Sequence, residues 1–362
     1  MQQIASMKIL VIIPNLGMGG AERLHINIAN EWVKNGHEVC FALLRKEGLL
    51  LETLSHDIKI KNLKASRIFS SVFKISNLIK EFEPTHIIAA MWPLTIISSW
   101  AWAINGFKGK YFPVEHCEFN DAHLESIGSN KIFFALSSIC LNISTKIIFV
   151  SQGVLKSFER KTFLMRGKSA VILNGVKLQN QSLTVDRVKK SKKNILALGR
   201  LSKQKDFQTT IHAFALALKQ RNDMILNIVG DGSEMHNLKE TVRMLGINDY
   251  VNFAGSVIDP TAYFLEADLF IHSSFYDGMP MVLLEALSFG ISIISTDTPH
   301  GPKEILSDGQ FGDIVPIGDI HNIARLMLLR IEQPLPKQLV LSRASKYSIE
   351  QTAMNYIQTF TQ

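Results

Sequence analysis

The sequence predicts an α/β protein of two domains, each built on a doubly wound parallel sheet. Its 362 residues are enough for two hydrophobic cores. Short apolar, β-branched runs alternate with longer helical patterns, which is typical of buried parallel strands joined by right-handed crossovers. One polar, basic break interrupts this alternation and predicts a linker at 178–193.

The predicted elements follow the chain in order. In the first domain, residues 1–177, the strand-like runs are KILVIIP, EVCFALL, THIIAAM, KIIFVS and SAVIL. In the second, residues 194–343, they are NILALGR, ILNIVGDG, VNFAG, DLFIHSS and ISIISTD. Residues 344–362 are predicted as a C-terminal helix that packs back toward the first domain. Because ligands of such sheets bind at the carboxyl ends of the strands, a cleft between two facing domains is the expected site.

The composition excludes several classes of protein. Hydrophobic residues make up 46% of the chain and charged residues 20%, as in ordinary globular proteins. Its three cysteines favour neither a disulfide framework nor a zinc site. The net charge of +7 would suit nucleic acid, an anionic membrane surface or a phosphorylated substrate. Of these three, nucleic acid is not among the partners that we predict. MKILVIIP fits a buried first strand better than a secretory signal, so we expect a cytoplasmic protein.

An uncharged stretch at 87–107 is long enough to span a bilayer. Pro93 interrupts it, and small residues are frequent in its second half. We therefore predict a buried strand, HIIAA, followed by a buried helix, LTIISSWAWAIN.

Two motifs of the first domain follow predicted strands. Gly17, Gly19 and Gly20 precede a helix, where backbone N–H groups bind anions or where glycine simply permits a tight turn. His116 follows the strand YFPV with Glu115, Glu118 and Asp121 close in sequence. No second histidine stands at a metal-ligand spacing, so His116 is either a structural residue or a substrate contact.

The second domain carries two further motifs after its strands. Arg200 and Lys205 follow NILALG; a guanidinium fork and a mobile ammonium suit a diphosphate, although a solvated basic loop has the same composition. Gly230, Asp231 and Gly232 follow the next strand in a turn through which backbone can approach a ligand.

The segment DGMPMVLLEALSFG places Asp277 eight residues before Glu285. Pro280 predicts the start of a helix, so the amides of 278–281 point toward an anion. Glu285 lies among apolar residues and needs a partner, which is either a ribose diol or a neighbouring lysine or amide.

These residues together resemble glycosyltransferase family 4, the retaining nucleotide-sugar transferases of GT-B fold, whose two domains are Rossmann-like. The resemblance covers nearly the whole chain. Its motifs are GMGGAER, EH, NGV, GRLSKQKDF, VGDGSE, FAG, DGMPMVLLEA and GPKEIL, in this order.

The resemblance implies a role for each matching position. Arg200 and Lys205 match the pair that neutralises the donor diphosphate in place of a metal ion. His116 matches a histidine that lies beside the transferred sugar, and Glu285 matches the glutamate that holds the ribose. Asp277 matches the first acid of the E-x7-E motif beside the sugar. The implied donor-binding residues are Gly19, Gly20, Gly199, Gly230, Asp231, Gly232, Val257, Gly278, Met279, Pro280, Met281 and Glu285.

Asp277 departs from the family pattern, which usually has glutamate there. Aspartate shortens the reach by one methylene, about 1.5 Å, so the sugar cannot be inferred from family members. In this family the leaving diphosphate is thought to help deprotonate the incoming hydroxyl on the same face of the sugar. Arg200 and Lys205 would stabilise the charge that develops there, with Asp277 a poor candidate for a covalent nucleophile.

A basic stretch of the first domain predicts a surface for the acceptor or a membrane. Its cations are Lys59, Lys61, Lys64, Arg67, Lys74 and Lys80, with no acidic residue among them. A helix over 66–82 would be basic and amphipathic, which fits either peripheral attachment to an anionic membrane or a packed helix with a solvated face.

The resemblance therefore implies a retaining, metal-independent hexosyltransferase or N-acetylhexosaminyltransferase that uses a nucleotide sugar, with a UDP-sugar as the expected donor. The implied acceptor is a glycan or a lipid-linked glycan in cell-surface polysaccharide assembly, such as lipopolysaccharide or capsule. Two alternatives stay open: a GT-B nucleotide-sugar epimerase, and a catalytically weakened nucleotide-sugar-binding protein. A dinucleotide oxidoreductase is excluded because no G-x-G-x-x-G follows a strand.

Overall fold

The computed structural model describes residues 5–65, 67–117, 131–179 and 192–361, with the backbone alone at 131–136. The chain divides into two compact units, one of Met1–Gly175 with Ile349–Gln362 and the other of Val176–Ser348. Most of the predicted linker, and the predicted neighbours Glu118 and Asp121 of His116, lie outside the described residues.

The N-terminal unit contains a parallel seven-stranded sheet in the order β3-β2-β1-β4-β5-β6-β7. Its strands are β1 (Lys8–Ile13), β2 (Glu38–Leu43), β3 (Lys59–Asn62), β4 (His86–Ala90), β5 (Lys110–Glu115), β6 (Ile147–Phe149) and β7 (Ser169–Val171). Its helices are α1 (Gly20–Lys34), α2 (Val72–Phe82), α3 (Leu94–Ile104), α4 (Lys131–Ile143) and α5 (Gln152–Lys161). The strand order reverses at β1, so right-handed crossovers place helices on both faces of the sheet.

The C-terminal unit contains a parallel six-stranded sheet in the order β10-β9-β8-β11-β12-β13. Its strands are β8 (Lys193–Leu198), β9 (Met224–Val229), β10 (Val251–Gly255), β11 (Leu269–His272), β12 (Ser292–Thr296) and β13 (Asp313–Val315). Its helices are α6 (Phe207–Leu218), α7 (Met235–Met244), α8 (Thr261–Glu266), α9 (Met281–Phe289), α10 (Pro302–Leu306), α11 (Ile320–Glu332) and α12 (Lys337–Ala344). The prediction of two doubly wound parallel sheets is confirmed.

The uncharged stretch forms a strand and a helix, as predicted. All five residues of β4 are buried, and α3 follows after Pro93. Among the described helices, none combines the length and the apolar character that crossing a bilayer requires.

The last helix, α13 (Ile349–Thr361), belongs to the N-terminal unit and packs against α1. The Trp32 indole N–H donates to the Ala353 carbonyl at 3.1 Å. The Trp32 ring also contacts Tyr356 and Phe360, and all three aromatic side chains are buried. A buried indole N–H needs an acceptor, and the Ala353 carbonyl of α13 provides it. This hydrogen bond and the aromatic contacts both hold α13 against the N-terminal unit.

Each sheet has a switch point where the strand order reverses, between β1 and β4 and between β8 and β11. At a switch point the loops that follow the two neighbouring strands run in opposite directions. A crevice therefore opens between these loops, at the carboxyl ends of the strands. In the C-terminal unit these loops carry Arg200 and Lys205 after β8 and Asp277 after β11. The topology therefore brings three predicted site residues to one crevice.

Candidate active site

The crevice of the C-terminal unit contains a largely buried ion pair. Lys205 ends a 3-10 turn after β8, and its Nζ lies 2.7 Å from both Oδ1 and Oδ2 of Asp277. The two side chains are only 20% and 11% exposed. Salt therefore screens this attraction much less than it screens a surface pair. Two predicted site residues hold each other in place.

His272 holds the other side of the Asp277 carboxylate. It is the last residue of β11, and its Nε2 lies 2.9 Å from Asp277 Oδ2. Its Nδ1 lies 3.0 Å from the hydroxyl of Ser295 on β12. An ionised carboxylate only accepts hydrogen bonds, so Nε2 carries the imidazole proton. Nδ1 is then an acceptor facing the Ser295 hydroxyl, which also lies 3.2 Å from the Thr296 carbonyl oxygen. Sequence reasoning missed His272 and Ser295, although His272 stands in the quoted run DLFIHSS.

The Asp277 carboxyl stays ionised in spite of its burial. Burial alone raises its pKa, but the charge of Lys205 and the hydrogen bond from His272 outweigh that effect and hold the pKa well below its usual range. Burial also lowers the pKa of His272, against the opposing effect of Asp277, so the imidazole is neutral near pH 7. The site thus holds one carboxylate against one ammonium.

Close backbone packing fixes the loop that carries Arg200. A Cβ at Gly230 would lie 1.9 Å from the Gly199 carbonyl oxygen, and one at Gly232 would lie 2.3 Å from the Leu201 carbonyl oxygen. These glycines therefore let the loop after β9 approach the loop after β8. The Arg200 side chain itself is exposed.

Asp231 and Val257 lie in the loops after the next two strands. The Asp231 carboxylate accepts the N–H of Gly232 at 2.7 Å and is otherwise exposed. Val257 is half-buried in the loop that follows β10.

The segment before α9 packs closely against the loop after β12. Gly278, Met279 and Pro280 are buried, and the helix begins at Met281 as the proline predicted. A Cβ at Gly301, whose φ is +92°, would lie 2.6 Å from Pro280 Cδ. Glycine at 301 is therefore required both by conformation and by space. Glu285 is half-buried on the second turn of α9.

In the N-terminal unit the glycine-rich loop forms a tight turn between β1 and α1. Gly19 caps α1 and Gly20 is its first residue. A Cβ at Gly19 would lie 2.1 Å from a carboxylate oxygen of Glu22. Gly48, whose φ is +121°, lets the loop after β2 pack on this turn, because its Cβ would lie 2.0 Å from the Leu16 carbonyl oxygen. Sequence reasoning did not single out Gly48 or Glu22.

His116 directly follows β5 and faces a second histidine. Its Nε2 lies 3.0 Å from Nε2 of His25 on α1, and both side chains are buried. Burial lowers the pKa of His116 to about 4. Burial and the neighbouring His116 lower the pKa of His25 well below its usual value. Both rings are therefore neutral at pH 7. No sequence pattern predicts this pairing.

Glu115, the last residue of β5, faces the interior. Its Oε1 accepts from the Thr95 hydroxyl at 2.8 Å, and the carboxyl also accepts a backbone N–H from Trp92. Burial raises the pKa of Glu115 to about 8, in spite of these two hydrogen bonds. The side chain is therefore predominantly protonated at pH 7.

Each of the two units matches a known family profile. The family profile described as "Glycosyltransferase Family 4" matches residues 18–180, and "Glycosyl transferases group 1" matches residues 181–347. The chain belongs to the family 4 glycosyltransferases.

Relatives of this family 4 glycosyltransferase match over most of their length. An uncharacterized glycosyltransferase of Haemophilus influenzae is 26% identical over 90% of this chain and 91% of its own. A Campylobacter jejuni relative is 27% identical over 92% of both chains. It is named "GalNAc-alpha-(1->4)-GalNAc-alpha-(1->3)-diNAcBac-PP-undecaprenol alpha-1,4-N-acetyl-D-galactosaminyltransferase".

A solved structure shares the fold of this family 4 glycosyltransferase. Anabaena Alr3699/HepE in complex with UDP-glucose superposes with a TM-score of 0.82 at 19% identity. The match covers 98% of this chain and 99% of that one. The fold is therefore GT-B, as the sequence resemblance implied.

The predicted basic surface of the glycosyltransferase divides into two parts. Lys59 and Lys61 lie on β3 and form ion pairs of 2.7 and 2.6 Å with Glu38 and Glu81. The remaining cations of the set, Lys64, Arg67, Lys74 and Lys80, are exposed along the approach to α2 and on α2. Within the described ranges no three His, Cys, Asp or Glu side chains are grouped as metal ligands.

The raised pKa of Glu115 predicts a specific pH dependence of stability. Folding is favoured below the unfolded pKa of about 4.5, and this contribution is lost as pH rises to about 8, because only the folded state retains the proton. Glu115→Gln keeps one acceptor oxygen for the Thr95 hydroxyl and removes the ionisation. The free energy of unfolding of this variant should therefore rise relative to that of the parent between pH 5 and pH 8, by at most roughly 4 kcal/mol.

Urea unfolding at pH 5 and pH 8 measures this difference for the N-terminal unit. Glu52→Gln, at an exposed position, controls for the loss of a carboxyl group as such. A difference between parent and Glu115→Gln that does not change with pH would show that Glu115 is already ionised in the folded protein.

Proposed function

We propose that this glycosyltransferase moves a hexose or N-acetylhexosamine from a nucleotide sugar to a glycan or lipid-linked acceptor, with retention of configuration and without a metal ion. The observation that carries the proposal is the Lys205–Asp277 pair in the crevice of the C-terminal sheet, where Lys205 lies on the same loop as the exposed Arg200. The names of the Campylobacter relative and of the Anabaena complex support a UDP-sugar donor and a lipid-linked acceptor. Such acceptors suit a cytoplasmic protein peripheral to the membrane.

Arg200 and Lys205 are the proposed ligands of the donor diphosphate. Arg200 offers a planar fork to phosphate oxygens, and the Lys205 ammonium has a third N–H beyond the two that face Asp277. The start of α9 adds the positive end of a helix dipole. In this arrangement the transferred sugar lies near Asp277, Glu285 on α9 holds the ribose, and Val257 lies beside the base.

The proposed chemistry needs no carboxylate base. The bond between the anomeric carbon and the leaving phosphate oxygen breaks, and the acceptor oxygen bonds to the same face of that carbon. The acceptor proton passes to the leaving phosphate oxygen. Negative charge grows on the diphosphate as the bond breaks, so fixed cations there lower the barrier more than they strengthen ground-state binding. Asp277 orients Lys205 for this step.

Two alternatives use the same donor site. An epimerase would change the nucleotide sugar without an acceptor, whereas a binding protein would change nothing. A thermal-shift screen of nucleotide sugars identifies the donor, and incubation with and without a lipid-linked or cell-surface glycan separates the three functions. Transfer that continues in the presence of EDTA supports the absence of a metal requirement.

Lys205→Ala should lower kcat for transfer by about 100-fold or more, the usual effect of losing one preorganised group that stabilises transition-state charge. Lys203→Ala, in the same turn but exposed, is the matched control and should retain activity. Both are measured as product formed from the donor that the screen identifies.

Lys205→Ala also leaves the Asp277 carboxylate without its cation, so the unfolding temperature is measured alongside. In Lys205→Ala/Asp277→Asn both charges are removed, and this variant should regain stability but not transfer. Full activity in either Lys205 variant would overturn the assignment of Lys205 to the diphosphate.

The exposed part of the basic surface is a proposed contact for an anionic membrane. Phe69 and Phe73 stand four residues apart and are 55% and 68% exposed, with Lys64, Arg67 and Lys74 around them. In a crossover between parallel strands the helix begins at the carboxyl edge of the sheet, so this surface lies at the same edge as His116. Exposed aromatic side chains surrounded by lysine and arginine suit the interface of an anionic lipid bilayer.

Phe69→Ser/Phe73→Ser should sharply reduce co-sedimentation with vesicles that contain anionic phospholipid, because both rings would lie in the interface. Phe163→Ser removes a more exposed ring of the same unit, 74% exposed, and Lys59→Ala/Lys61→Ala removes cations that are already paired; both controls should bind as the parent does. Equal binding by the Phe69/Phe73 variant would exclude this surface.

A further inference from the structure

The contact between His25 and His116 requires a fixed arrangement of protons. Nε2 faces Nε2 at 3.0 Å, and the rings meet edge-on at 76°. Two N–H groups or two lone pairs cannot face each other at this distance without repulsion. One ring must therefore donate from Nε2 and the other must accept at Nε2.

Neither ring carries a second proton at neutral pH. His25 is fully buried, and burial lowers the pKa of both imidazoles. A neutral imidazole has one N–H and one lone pair, so the choice of donor at Nε2 also determines what each ring presents at Nδ1.

The surroundings of His25 decide between the two arrangements. Its Nδ1 is buried and has no hydrogen-bond partner among the described residues. If His25 accepted at Nε2, its Nδ1 would carry a buried N–H with no acceptor, and leaving such a donor unpaired costs about 1–3 kcal/mol. If His25 donates from Nε2, its Nδ1 has only an unpaired lone pair. Unpaired buried acceptors are tolerated more often than unpaired buried N–H groups, so this second arrangement is favoured.

We propose that His25 is a positioning residue that donates from Nε2 to His116 Nε2, so that His116 presents an Nδ1–H to a hydroxyl of the substrate. Unlike Nδ1 of His25, Nδ1 of His116 is not one of the buried, unpartnered atoms. It makes no hydrogen bond to the described part of the chain and is the ring atom left for a ligand. The tautomer is independent of the proposed function, whereas its use toward a substrate hydroxyl rests on glycosyl transfer.

A His116 ring with this proton arrangement selects, at Nδ1, for substrate atoms that accept a hydrogen bond. His116 offers a neutral donor at Nδ1 and has no free lone pair, because His25 occupies Nε2. It therefore binds an oxygen lone pair and gives a hydroxyl proton no acceptor. A substrate analogue that lacks the contacted hydroxyl leaves this N–H unpaired and is discriminated against by that cost.

The tautomers are read directly from long-range proton–nitrogen correlation spectra of the full chain labelled with ¹⁵N-histidine. In the parent, His116 should show a protonated Nδ1 and a bare Nε2, and His25 the reverse. His25→Met, which fills similar space but donates nothing, should give His116 a mixture of tautomers. His25→Gln, whose amide N–H₂ reaches the position of Nε2, should restore the parent pattern. His37→Met, at another buried histidine of the unit, should leave it unchanged.

A parent spectrum with the proton on His116 Nε2 would overturn the proposal, even if the variants fail to fold. Activity gives a separate test: His25→Met should lower kcat/KM for transfer by roughly tenfold, about the value of one hydrogen bond to substrate, and His25→Gln should recover most of it. The predicted tautomer with unchanged transfer in His25→Met would overturn the substrate contact of His116. Absence of any transfer in the parent would contradict glycosyl transfer and leave the spectral result standing.

Discussion

The carboxylate of Asp277 can be buried only because Lys205 and His272 bond to it. An isolated buried carboxylate would take up a proton, but here two hydrogen bonds to an ammonium and one to an imidazole keep it charged. The three groups come from the loop after β8, the end of β11 and the loop after β11, so one ion pair ties the strands at the switch point together. Replacing either Lys205 or Asp277 alone would leave the other charge buried without its partner, which is costly. Neither residue can therefore be substituted independently of the other.

The N-terminal unit solves a similar problem without charge. At the end of β5, Glu115 is buried as a neutral acid and His116 as a neutral imidazole, each with a partner from a neighbouring helix. Thr95 on α3 and His25 on α1 thus determine what these two consecutive residues can do. Glu115 is turned inward and accepts its hydrogen bond from Thr95, whereas Nδ1 of His116 makes no hydrogen bond to the described residues. The sequence pair EH therefore contains one structural and one candidate functional residue.

Patterns that are local in sequence were predictable. The apolar runs predicted two parallel sheets, and Pro280 predicted the start of α9. Pairings between distant residues were not: His25 is 91 residues from His116, and no periodicity connects them. The strand β3, KIKN, was absent from the predicted strands because half its residues are lysines, yet lysine is common on an edge strand because it discourages further pairing. Gly230 and Gly232 also have a packing role that no sequence pattern indicated, because the backbone of the Arg200 loop occupies the space of their missing Cβ atoms. Their approach to a ligand stays a prediction.

In the proposed complex the diphosphate of the donor binds Lys205, while Asp277 compensates part of the positive charge of the lysine. Calorimetric titration of UDP into the parent and into Asp277→Asn at one fixed salt concentration tests it most directly, because UDP carries the diphosphate but no transferred sugar. Asparagine keeps the shape and an oxygen for Lys205 but removes the negative charge near the phosphates. Asp277→Asn should therefore bind UDP more tightly than the parent, by on the order of fivefold, about 1 kcal/mol. Equal or weaker binding would mean that Lys205 does not contact the diphosphate.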